Sequence, residues 1–592
     1  MTGSEQPRAI APLRWPCDAE LSLPGSKSEA NRMLVAAATS GRTITVTGAT
    51  PCEDVRLLVA GLEALGFEAR FTDEARGDVR VGPRTADAPA SAEILCGNAG
   101  TALRFLVSVA AITPGQWTIT GDAAMQRRPI GPLVAAWQKL GADIADTDGC
   151  PPVRVRGGGR FGNRVQLDPT VSSQFVSSLL LAGACLPAGL DVEFTAAPAS
   201  IDYAQWTCNV LRQLGIEAAL RAGGASVRRA AGRGPGEPGP GELRVSGDWS
   251  AMGVWTCIGF LSGSVVRATN LCSGSGQPDE QLPSVLAPLR GHGERTVDVS
   301  SLPDQFPNLA IVAALRTGTT RLVGAANLRH KECDRIAVMA RELTRADVAV
   351  QELRDGLVVH GNGRASPTVV DPEQDHRIAM AFALLGLVVP GVAIRDPGCV
   401  AKSYPGFWRD VEAVQRSLRC VAVVGMRGAG KSTFARALAN ETELEWLDTD
   451  RLFEARHGPI AAFVAQHGWP AFRAEEAQLV AAALAPGRVV STGGGAVEHA
   501  ATRALLRTRA LTVWLDGQPD LLRARLLADA TVRPSVTGAP PAAEVDDLLA
   551  RRLPQYAEVA AVHLDAASAT AVQVQQALRQ FAAAARVFEA TR

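Results

Sequence analysis

The sequence lacks any closely spaced pair of cysteines. Its 11 cysteines stand singly, and no two of them form the CxxC spacing of a zinc site or a redox motif. Disulfide-stapled domains and zinc modules depend on such clusters. The pattern therefore predicts reduced thiols in a cytosolic protein, with no zinc site and no disulfide framework.

An excess of charge of either sign is missing as well. Lys plus Arg and Asp plus Glu number 60 each, so the formal net charge is zero. Binding to nucleic acid or to an acidic membrane surface usually needs a broad positive field, which this balance does not provide. We therefore expect no nucleic-acid partner and no membrane, and any positive potential must be local to a site.

The sequence also has no apolar leader and no unbroken membrane-spanning run. The segment from Met1 to Trp15 has polar residues and prolines where a signal peptide would be apolar. The longest apolar stretch, residues 378–394, is interrupted by Pro390 and Gly391. It predicts a buried helix followed by a strand. Together these absences predict a soluble, cytoplasmic, globular protein.

An internal repeat is the first positive feature. A Leu-Gly pair ends a helix-like pattern at Leu65, Leu140 and Leu214, which lie at nearly equal intervals along the chain. Leu289-Arg290-Gly291 follows at the same interval, and Glu342-Leu343 is a weaker, closer echo. The period predicts one α/β unit copied several times, with glycine after the helix. Because one such unit cannot bury its apolar face alone, the units should cluster into lobes.

Two segments interrupt the repeat. Residues 221–242 are rich in glycine, arginine and proline, which predicts an exposed loop. Near residues 416–419 the repeat pattern stops, and a new apolar strand over residues 421–424 begins a different architecture. A chain of 592 residues is too long for one core. A second domain is therefore expected from about residue 420.

A phosphate-binding loop follows that strand. The sequence GMRGAGKS at 425–432 fits GxxxxGK[ST] and leads into a helical pattern over residues 433–439. Its glycines let backbone N–H groups surround phosphates, Lys431 should meet the β- and γ-phosphates, and Ser432 should hold Mg²⁺. The predicted ATP-binding residues here are Gly428, Ala429, Gly430, Lys431, Ser432 and Thr433.

Three later features narrow the choice of phosphate acceptor. Asp448-Thr449-Asp450 ends a short strand, where one carboxylate can hold Mg²⁺ through water and the other the acceptor hydroxyl. Arg473 offers a planar fork for a carboxylate. Gly493-Gly494-Gly495 follows another strand and lets a small substrate approach the backbone. Each feature alone is weak, since DxD is often a solvated turn and GGG often a loop.

The first two thirds of the chain carry short polar motifs suited to anions. Lys27, Ser28 and Arg32 are spaced so that a tight turn and the first turns of a helix can face one anion. This segment lacks GxxxxGK, so nucleotide binding is not expected there. The other motifs are GNAGT at 97–101, RRPI at 127–130, VSSQF at 171–175, KECDR at 331–335, DHR at 375–377 and AKS at 401–403.

In this order and spacing, the C-terminal features resemble shikimate kinase over residues 420–584. The resemblance implies that Asp450, Arg473, Gly494 and Arg552 hold shikimate, with Asp450 as the candidate base. Arg552 lies in RLPQY at 552–556, which matches the RxPxY of that family. Arg533 matches the lid arginine that closes over ATP. A gluconate- or adenylate-type kinase is the alternative, which Arg473 and the glycine triplet disfavour.

The N-terminal motifs together resemble the EPSP synthases of the enolpyruvyl transferase family, over residues 12–414. The resemblance implies an α/β protein with a two-lobed fold of three repeated α/β units per lobe, followed by a P-loop kinase domain with a parallel sheet. The expected domains are 1–415, with lobes of about 1–23 plus 245–415 and of 24–244, and then 420–592. The matching motifs are LPGSKS, GNAGTALR, RRPIG, VSSQF, HKECDR, DHR and AKSYPGFW.

Carried over residue by residue, this resemblance implies a base, Asp304, near the 5-hydroxyl, with Glu332 and Lys27 handling protons. Phosphoenolpyruvate would be held by Arg128, Arg335, Arg377 and Lys402, with Gly100 and Gln174. The carboxylate of shikimate 3-phosphate would meet Ser28 and Arg32, and Lys27 would touch both substrates. Its 3-phosphate would meet Ser172, Ser173, Ser200 and Lys331, and a hydroxyl would meet Asn327.

Two departures from the family pattern stand beside these expectations. Ser200-Ile201-Asp202-Tyr203 replaces the usual Ser, basic residue, Pro and Tyr, and Phe105 stands where the family often has proline. A transferase acting on a UDP-sugar is the alternative within this family. One degenerate module in a regulatory or scaffolding role is the alternative of another class.

The sequence thus predicts a bifunctional enzyme that uses shikimate, ATP, shikimate 3-phosphate and phosphoenolpyruvate, with Mg²⁺ as the kinase cofactor. The order of the two modules is that of the larger arom polypeptide.

Overall fold

The computed structural model describes residues 6–13, 16–198, 200–229, 241–417, 420–442, 444–528 and 534–569. The chain divides into two compact units. One comprises Met1–Pro12, Glu20–Ile258 and Arg267–Asp410, and the other Leu13–Ala19, Gly259–Val266 and Val411–Arg592. The domain and lobe boundaries given above stay a prediction.

Two four-stranded sheets in the larger unit share one topology. Their elements are β6 Ser91–Leu95, α3 Gly100–Ile112, β7 Gly115–Thr120, α4 Gly131–Lys139, β8 Asp143–Thr147, β9 Cys150–Gly157, β10 Arg164–Leu167, α5 Ser173–Gly183, β11 Leu190–Phe194, α6 Asp202–Gln213, β12 Ile216–Arg221 and β13 Gly224–Arg229. The first sheet is ordered β6-β7-β9-β8 and the second β10-β11-β13-β12. In each sheet the first two strands of the chain pair in parallel. The next two strands form a hairpin, and the second strand of this hairpin lies beside the second strand of the parallel pair.

A third sheet repeats this order but takes its edge strand from far along the chain. The elements are α1 Lys27–Thr39, β3 Ile44–Thr47, α2 Glu53–Ala64, β4 Phe67–Asp73, β5 Asp78–Arg84 and β14 Glu242–Arg244. The sheet order is β14-β3-β5-β4, and Leu243 of β14 is paired in parallel with Val46 of β3. Just beyond it, the backbone N–H of Ser26 donates to the carbonyl of Ser246 at 2.8 Å. The two chain segments therefore run side by side here.

The three remaining sheets described before residue 417 have four, three and two strands. The elements are β1 Arg8–Ala9, β2 Asp18–Leu21, α7 Trp249–Ser262, β15 Val265–Ala268, α8 Leu282–Leu286, β16 Arg295–Asp298, α9 Phe306–Leu315, β17 Thr317–Val323, α10 Arg335–Arg345, β18 Ala349–Leu353, β19 Gly356–Asn362, β20 Thr368–Val370, α11 His376–Gly386, β21 Val392–Ile394 and α12 Phe407–Arg416. The sheet orders are β16-β17-β19-β18, β1-β21-β20 and β15-β2.

The Leu-Gly repeat marks helix ends, as predicted. Leu65, Leu140 and Leu214 are helix C-caps, and the glycines that follow have φ of 89°, 99° and 75°, a left-handed conformation that favours glycine. The fourth match, Gly291, is also a C-cap but lacks the left-handed conformation. Gly291 follows a short 3₁₀ turn with φ of −86°, and the equivalent left-handed position after α10 is Asp347, with φ of 58°.

Several helices of the repeat are buried on nearly all sides. They are α1, α3, α5, α9 and α11. Their sequences are apolar or small all round, as in MLVAAA of α1 and IVAAL of α9, which suits helices enclosed by other elements. The apolar stretch 378–394 lies in α11 and β21, so the prediction of a buried helix and strand is confirmed. Among the described residues, no helix is long and apolar enough to cross a membrane.

The predicted loop at 221–242 was wrong over its first part. Arg221 ends β12, and Gly224–Arg229 forms β13, the partner of β12 in a hairpin. Ala222 and Gly223 form the turn, with Gly223 at φ of 88°, so a composition that resembles a loop includes a strand. Residues 230–240 lie outside the described part of the chain.

The second unit contains a five-stranded parallel sheet. The elements are β22 Cys420–Gly425, α13 Lys431–Thr442, β23 Glu445–Asp448, α14 Thr449–His457, α15 Ile460–Ala483, β24 Arg488–Ser491, α16 Ala500–Arg509, β25 Ala510–Asp516, α17 Pro519–Ala528, α18 Val545–Val559 and β26 Val562–Asp565. The strand order is β23-β24-β22-β25-β26, and all paired strands are parallel. The strand before the phosphate loop, β22, lies at the centre and is buried throughout. The predicted strand-loop-helix context is confirmed.

Candidate active sites

Three helices of the repeat begin at one polar pocket in the larger unit. Lys27, Gly100 and Ser173 are the first residues of α1, α3 and α5, and all three line this pocket. The first N–H groups of a helix have no partner within the helix, and they carry positive partial charge. The three helices belong to copies of the same unit, and their starts converge on one wall of the pocket. The repeat thus gives this wall a positive partial charge that suits anions.

The opposite wall comes from residues beyond position 300. Asp304 lies in the 3₁₀ turn Pro303–Gln305 just before α9, and Arg335 begins α10. The structure thus brings motifs from the start of the chain together with motifs that follow Pro303. The predicted residues that line the pocket are Lys27, Ser28, Arg32, Gly100, Arg128, Ser172, Ser173, Gln174, Ser200, Asp304, Asn327, Lys331, Glu332 and Arg335.

Two carboxylates hold the cations of this pocket in one network. Asp304 lies 2.9 Å from Nη1 of Arg335 and 3.2 Å from Nη2 of Arg377. Glu332 lies 3.1 Å from Nη2 of Arg335, 3.3 Å from Nζ of Lys402 and 3.9 Å from Nη2 of Arg128. Arg377 and Lys402 are therefore connected to the pocket by their contacts with Asp304 and Glu332. The cations expected to hold phosphoenolpyruvate are balanced by the chain itself.

The network sets the protonation of both carboxylates. Burial alone would raise their pKa values. The charges of Arg377, Arg335 and Lys331 instead hold the pKa of Asp304 well below its usual range. Lys402, followed by Arg335 and Arg128, lowers the pKa of Glu332 in the same way. Both groups are therefore ionised at neutral pH, and both can accept a proton only when competing anions draw the cations away.

Several guanidinium donors at this site have no hydrogen-bond partner within the described residues. They are Nε and Nη2 of Arg128 and Nε of Arg377. Both side chains are buried, with 7% and 6% exposure. A buried donor without a partner is costly, and native proteins rarely leave one so. These donors fit an anionic ligand with several oxygen atoms.

Lys27 has a partner that the sequence interpretation missed. Its Nζ lies 2.9 Å from Oδ2 of Asp54, and both side chains are largely buried. Burial would lower the pKa of Lys27, but the charges of Asp54 and Glu332 outweigh it and raise that pKa. Asp54 lies in the first turn of α2 and belongs to no motif, so nothing in the sequence singled it out.

Arg32 is held in place by hydrogen bonds and by contacts with aromatic rings. Its Nε donates to Thr207 at 2.8 Å, and its Nη1 donates to the carbonyl of Ser28 at 2.7 Å. The guanidinium also lies over the rings of Phe105 and Trp206, at 5.7 and 5.2 Å from their centroids. Phe105 is fully buried, so the residue that replaces the family proline supports Arg32 through a cation–π contact.

The hydroxyl and amide side chains are joined by hydrogen bonds across the pocket. Nδ2 of Asn327 donates to Oγ of Ser200 at 3.3 Å, and Ser200 adopts a left-handed φ of 50°. The amide of Gln174 donates to Thr101 at 2.9 Å and accepts from Arg104 at 2.5 Å. Arg104 was not predicted, although it follows directly in the GNAGTALR motif. Ser172 caps α5 by accepting the N–H of Gln174.

The phosphate loop of the second unit has the geometry its sequence requires. Gly428 and Gly430 adopt φ of 77° and 87°, which turns successive N–H groups inward. Helix α13 begins at Lys431, whose Nζ donates to the carbonyl of Met426 at 3.0 Å across the loop. Gly428, Ala429, Gly430, Lys431, Ser432 and Thr433 thus lie together where strand β22 gives way to the helix.

Two oxygen ligands for a magnesium ion are already adjacent. Oγ of Ser432 donates to Oδ2 of Asp448 at 2.6 Å, and Asp448 also accepts from Ser491 at 2.7 Å. Mg²⁺ prefers a few such oxygens together with phosphate and water. The donor set therefore fits this ion. Asp448 also caps α14 and so fixes the direction of the neighbouring Asp450, whose side chain is exposed.

The residues expected to hold the phosphate acceptor include an arginine pair. Arg473 lies on α15 and Arg552 on α18, and Glu498 contacts both, at 3.4 and 3.0 Å. Nη1 of Arg473 also donates to Glu476 at 2.5 Å. Tyr556, of the RxPxY match, donates to the carbonyl of Gly494. Glu476 and Glu498 were not predicted, and Arg533 lies outside the described residues.

The third glycine of the triplet has a role that the sequence interpretation did not assign. A Cβ on Gly495 would overlap the guanidinium of Arg473, whereas one on Gly494 would lie 3.2 Å from the backbone nitrogen of Arg427. Gly495 thus makes room for a protein side chain. The two folds and their sites together define a chain that joins a transferase for anionic small molecules to a P-loop kinase.

Comparisons with known proteins agree with this description for both parts of the chain. The EPSP synthase family model matches residues 14–411, and the shikimate kinase model matches residues 427–583. The 3-phosphoshikimate 1-carboxyvinyltransferase of Pseudomonas syringae pv. tomato is 36% identical over 408 residues, covering 67% of this chain and 95% of that protein. The pentafunctional AROM polypeptide of Komagataella phaffii is 31% identical over 563 residues, which is 83% of this chain and 36% of that one.

A solved EPSP synthase from Acinetobacter baumannii has the same fold over 69% of this chain and 98% of its own, with 25% identity and a TM-score of 0.57. The chain belongs to the EPSP synthase family, with a shikimate kinase domain following in the same polypeptide. It is a bifunctional enzyme of the shikimate pathway, and its kinase domain uses ATP. The family matches favour this assignment over a UDP-sugar transferase and over a gluconate- or adenylate-type kinase.

Proposed function

We propose that the polar pocket of the larger unit binds shikimate 3-phosphate and phosphoenolpyruvate together, and that the P-loop site makes the first of these from shikimate. The observation that carries this is the convergence of helix starts, balanced cations and unpartnered arginine donors in one pocket. The product of the kinase, phosphorylated at the 3-hydroxyl, is then the substrate of the transferase.

Phosphoenolpyruvate binds by exchange of anions. Its carboxylate and phosphate take the places that Asp304 and Glu332 occupy on Arg335, Arg377, Lys402 and Arg128, while Gly100 and Gln174 contact it from the other wall. Planar arginine forks suit both groups. The exchange has a chemical consequence, because each carboxylate that loses a cation becomes a stronger base.

Shikimate 3-phosphate lies against the other anion-binding groups. Its carboxylate is recognised by Ser28 and the immobilised Arg32. Its phosphate is recognised by Ser172 and Ser173 at the start of α5, by Ser200 and by Lys331, and a ring hydroxyl by Asn327. The start of α5 supports this assignment, since backbone N–H groups at a helix start commonly bind phosphate.

The transfer then needs one base and one acid. Asp304 takes the proton of the 5-hydroxyl while that oxygen bonds to the central carbon of phosphoenolpyruvate, and the methylene carbon gains a proton from the Lys27 and Glu332 pair. In the second step the new methyl group returns a proton to the Lys27 and Glu332 pair, the double bond is restored, and the phosphate leaves with the proton that Asp304 had taken. Lys27 contacts both substrates, consistent with its place at the start of α1.

In the kinase site, Lys431 meets the β- and γ-phosphates of ATP, and the loop N–H groups surround them. Ser432 and Asp448 would hold Mg²⁺, which would supply charge neutralisation for the phosphates. Arg473, Arg552 and the backbone of Gly494 hold shikimate, and Asp450 accepts the proton of its 3-hydroxyl. Arg533 as the lid residue stays a prediction, as does the cytoplasmic location.

A single reaction mixture tests this assignment. The purified chain is given shikimate, ATP and Mg²⁺, with or without phosphoenolpyruvate, and ADP and inorganic phosphate are followed separately. We expect ADP in both mixtures and phosphate only with phosphoenolpyruvate. ADP without phosphate in every mixture would contradict the transferase. A third mixture supplies shikimate 3-phosphate with phosphoenolpyruvate, and phosphate released there alone, with no ADP in the first two, would contradict the kinase.

A further inference from the structure

One carboxylate in the kinase site bridges both arginines of the pair, Arg473 and Arg552. Oε1 of Glu498 accepts from Nε of Arg552 at 3.0 Å, and Oε2 lies 3.4 Å from Nε of Arg473. Glu498 ends the 3₁₀ turn Ala496–Glu498, directly after the glycine triplet. A carboxylate that spans two guanidinium groups occupies the position of a bound carboxylate ligand.

The two arginines are not satisfied by this contact alone. Arg552 is only 1% exposed, and its Nη2 has no hydrogen-bond partner within the described part of the chain. A buried guanidinium nitrogen in this state indicates a missing acceptor. Contact with Glu498 therefore leaves one donor of Arg552 available to another anion, and an anion that uses it approaches the same arginine pair.

Glu498 differs from the other glutamate on this pair. Glu476 contacts Arg473 with a side chain that is 4% exposed, whereas the side chain of Glu498 is 30% exposed. A buried partner is held in place by its surroundings, while a partly exposed one can turn toward water. Glu476 is thus the permanent partner of Arg473, and Glu498 is the displaceable one.

We propose that Glu498 is an internal competitor of shikimate: its carboxylate neutralises the Arg473 and Arg552 pair in the empty site and is displaced when the carboxylate of shikimate arrives. Glu498 therefore sets the affinity for shikimate and assists the release of the phosphorylated product. The inference rests on the proposed placement of the shikimate carboxylate on these two arginines.

Glu498→Gln tests the proposal, because it removes the charge and keeps the size and one acceptor oxygen. We expect the Kd and the KM for shikimate to fall roughly three- to ten-fold, with no increase in kcat, since a like charge no longer opposes the substrate. For the methyl ester of shikimate, which carries no charge, the same variant should bind within about two-fold of the parent chain. Calorimetry and ADP release provide the two readouts.

The chain offers a matched control. Glu558 also bridges two arginines, Arg503 at 2.8 Å and Arg507 at 3.6 Å, and its side chain is 33% exposed. Glu558→Gln should leave the Kd and KM for shikimate unchanged. Glu498→Ala serves as a second variant, and an unchanged KM for ATP shows that the kinase unit is folded.

An unchanged or raised KM for shikimate in Glu498→Gln overturns the proposal, because a glutamate that only positions the arginines would weaken binding when removed. Arg473→Met separates this failure from that of the placement itself. If Arg473→Met leaves the KM for shikimate unchanged, the proposed substrate placement fails. If it raises the KM while Glu498→Gln does not lower it, only the inference about Glu498 fails.

Discussion

The two sites of this chain balance their arginines in different ways. In the transferase pocket Arg335 and Arg377 contact Asp304, and Arg335 also contacts Glu332, the two groups proposed to move protons, while a third carboxylate, Asp375, lies 2.7 Å from Nε of Arg335. In the kinase site the counter-ions of Arg473 and Arg552 are glutamates that take no part in the proposed chemistry. Substrate binding and base activation are therefore one event in the first site, whereas affinity and chemistry can be altered separately in the second.

The largest expected effect is that of Asp304→Ala. Removal of a general base should lower phosphate release from shikimate 3-phosphate and phosphoenolpyruvate by about 10²- to 10⁴-fold. ADP release by the kinase should not change. Asp143→Ala removes an exposed carboxylate on β8 and is the control. A fully active Asp304→Ala enzyme would show that the carboxylate serves only to balance Arg335 and Arg377.

The matching change in the kinase is Lys431→Ala. Loss of a cation that meets the transferred phosphate should lower ADP release by roughly 10²- to 10³-fold, while the transferase keeps its rate on supplied shikimate 3-phosphate. Arg436→Ala, an exposed position on the same helix, is the control. Equal losses in both activities would contradict the separation of the two sites.

Gly495→Ala tests the geometry of the arginine pair without removing a charge. The added methyl group overlaps the far end of the Arg473 side chain, which can move, so the unit should fold while the guanidinium is displaced. Loss of one charge-assisted hydrogen bond corresponds to roughly a ten-fold rise in the KM for shikimate. The KM for ATP serves as the internal reference, and a parallel rise in both would mean general damage.

The smallest effect concerns pH. Lys402 is the leading cation that lowers the pKa of Glu332. In Lys402→Met that pKa should rise toward its ordinary value, so the acid limb of transferase kcat/KM should move to higher pH, by about one unit. Lys139→Met, an exposed lysine at the end of α4, should leave the limb in place. A limb that moves to lower pH would refute the assignment to Glu332.

The parts of these sites whose residues follow one another in the chain could be predicted from the sequence. The phosphate loop lies within 425–432, and its strand and helix appeared where expected. The paired network of Asp304, Glu332 and four cations could not be derived from residues alone, because its members come from segments as distant as Arg128 and Lys402. Their roles came from resemblance to a family, and the pairing among them came from the structure.

Three of the residues that were missed share one property. Asp54, Glu476 and Glu498 are acidic partners of predicted cations, and none lies at a motif position of its own. A lone carboxylate on a helix or turn has the same sequence signature whether it is solvated or paired. Likewise, composition suggested a loop at 221–242, because the hairpin strand Gly224–Arg229 is short and rich in arginine and glycine, together with alanine and serine.

The edge strand Glu242–Arg244 has a consequence for how the chain is made. Val46 leaves the ribosome well before its sheet partner Leu243, which follows only after the strands of two further sheets, β6–β9 and β10–β13. At about 5–20 residues per second, the first sheet waits roughly 10–40 s for its edge strand during synthesis. This sheet thus cannot be completed when its first strands are translated, and its exposed edge is a point where nascent chains can be trapped or captured.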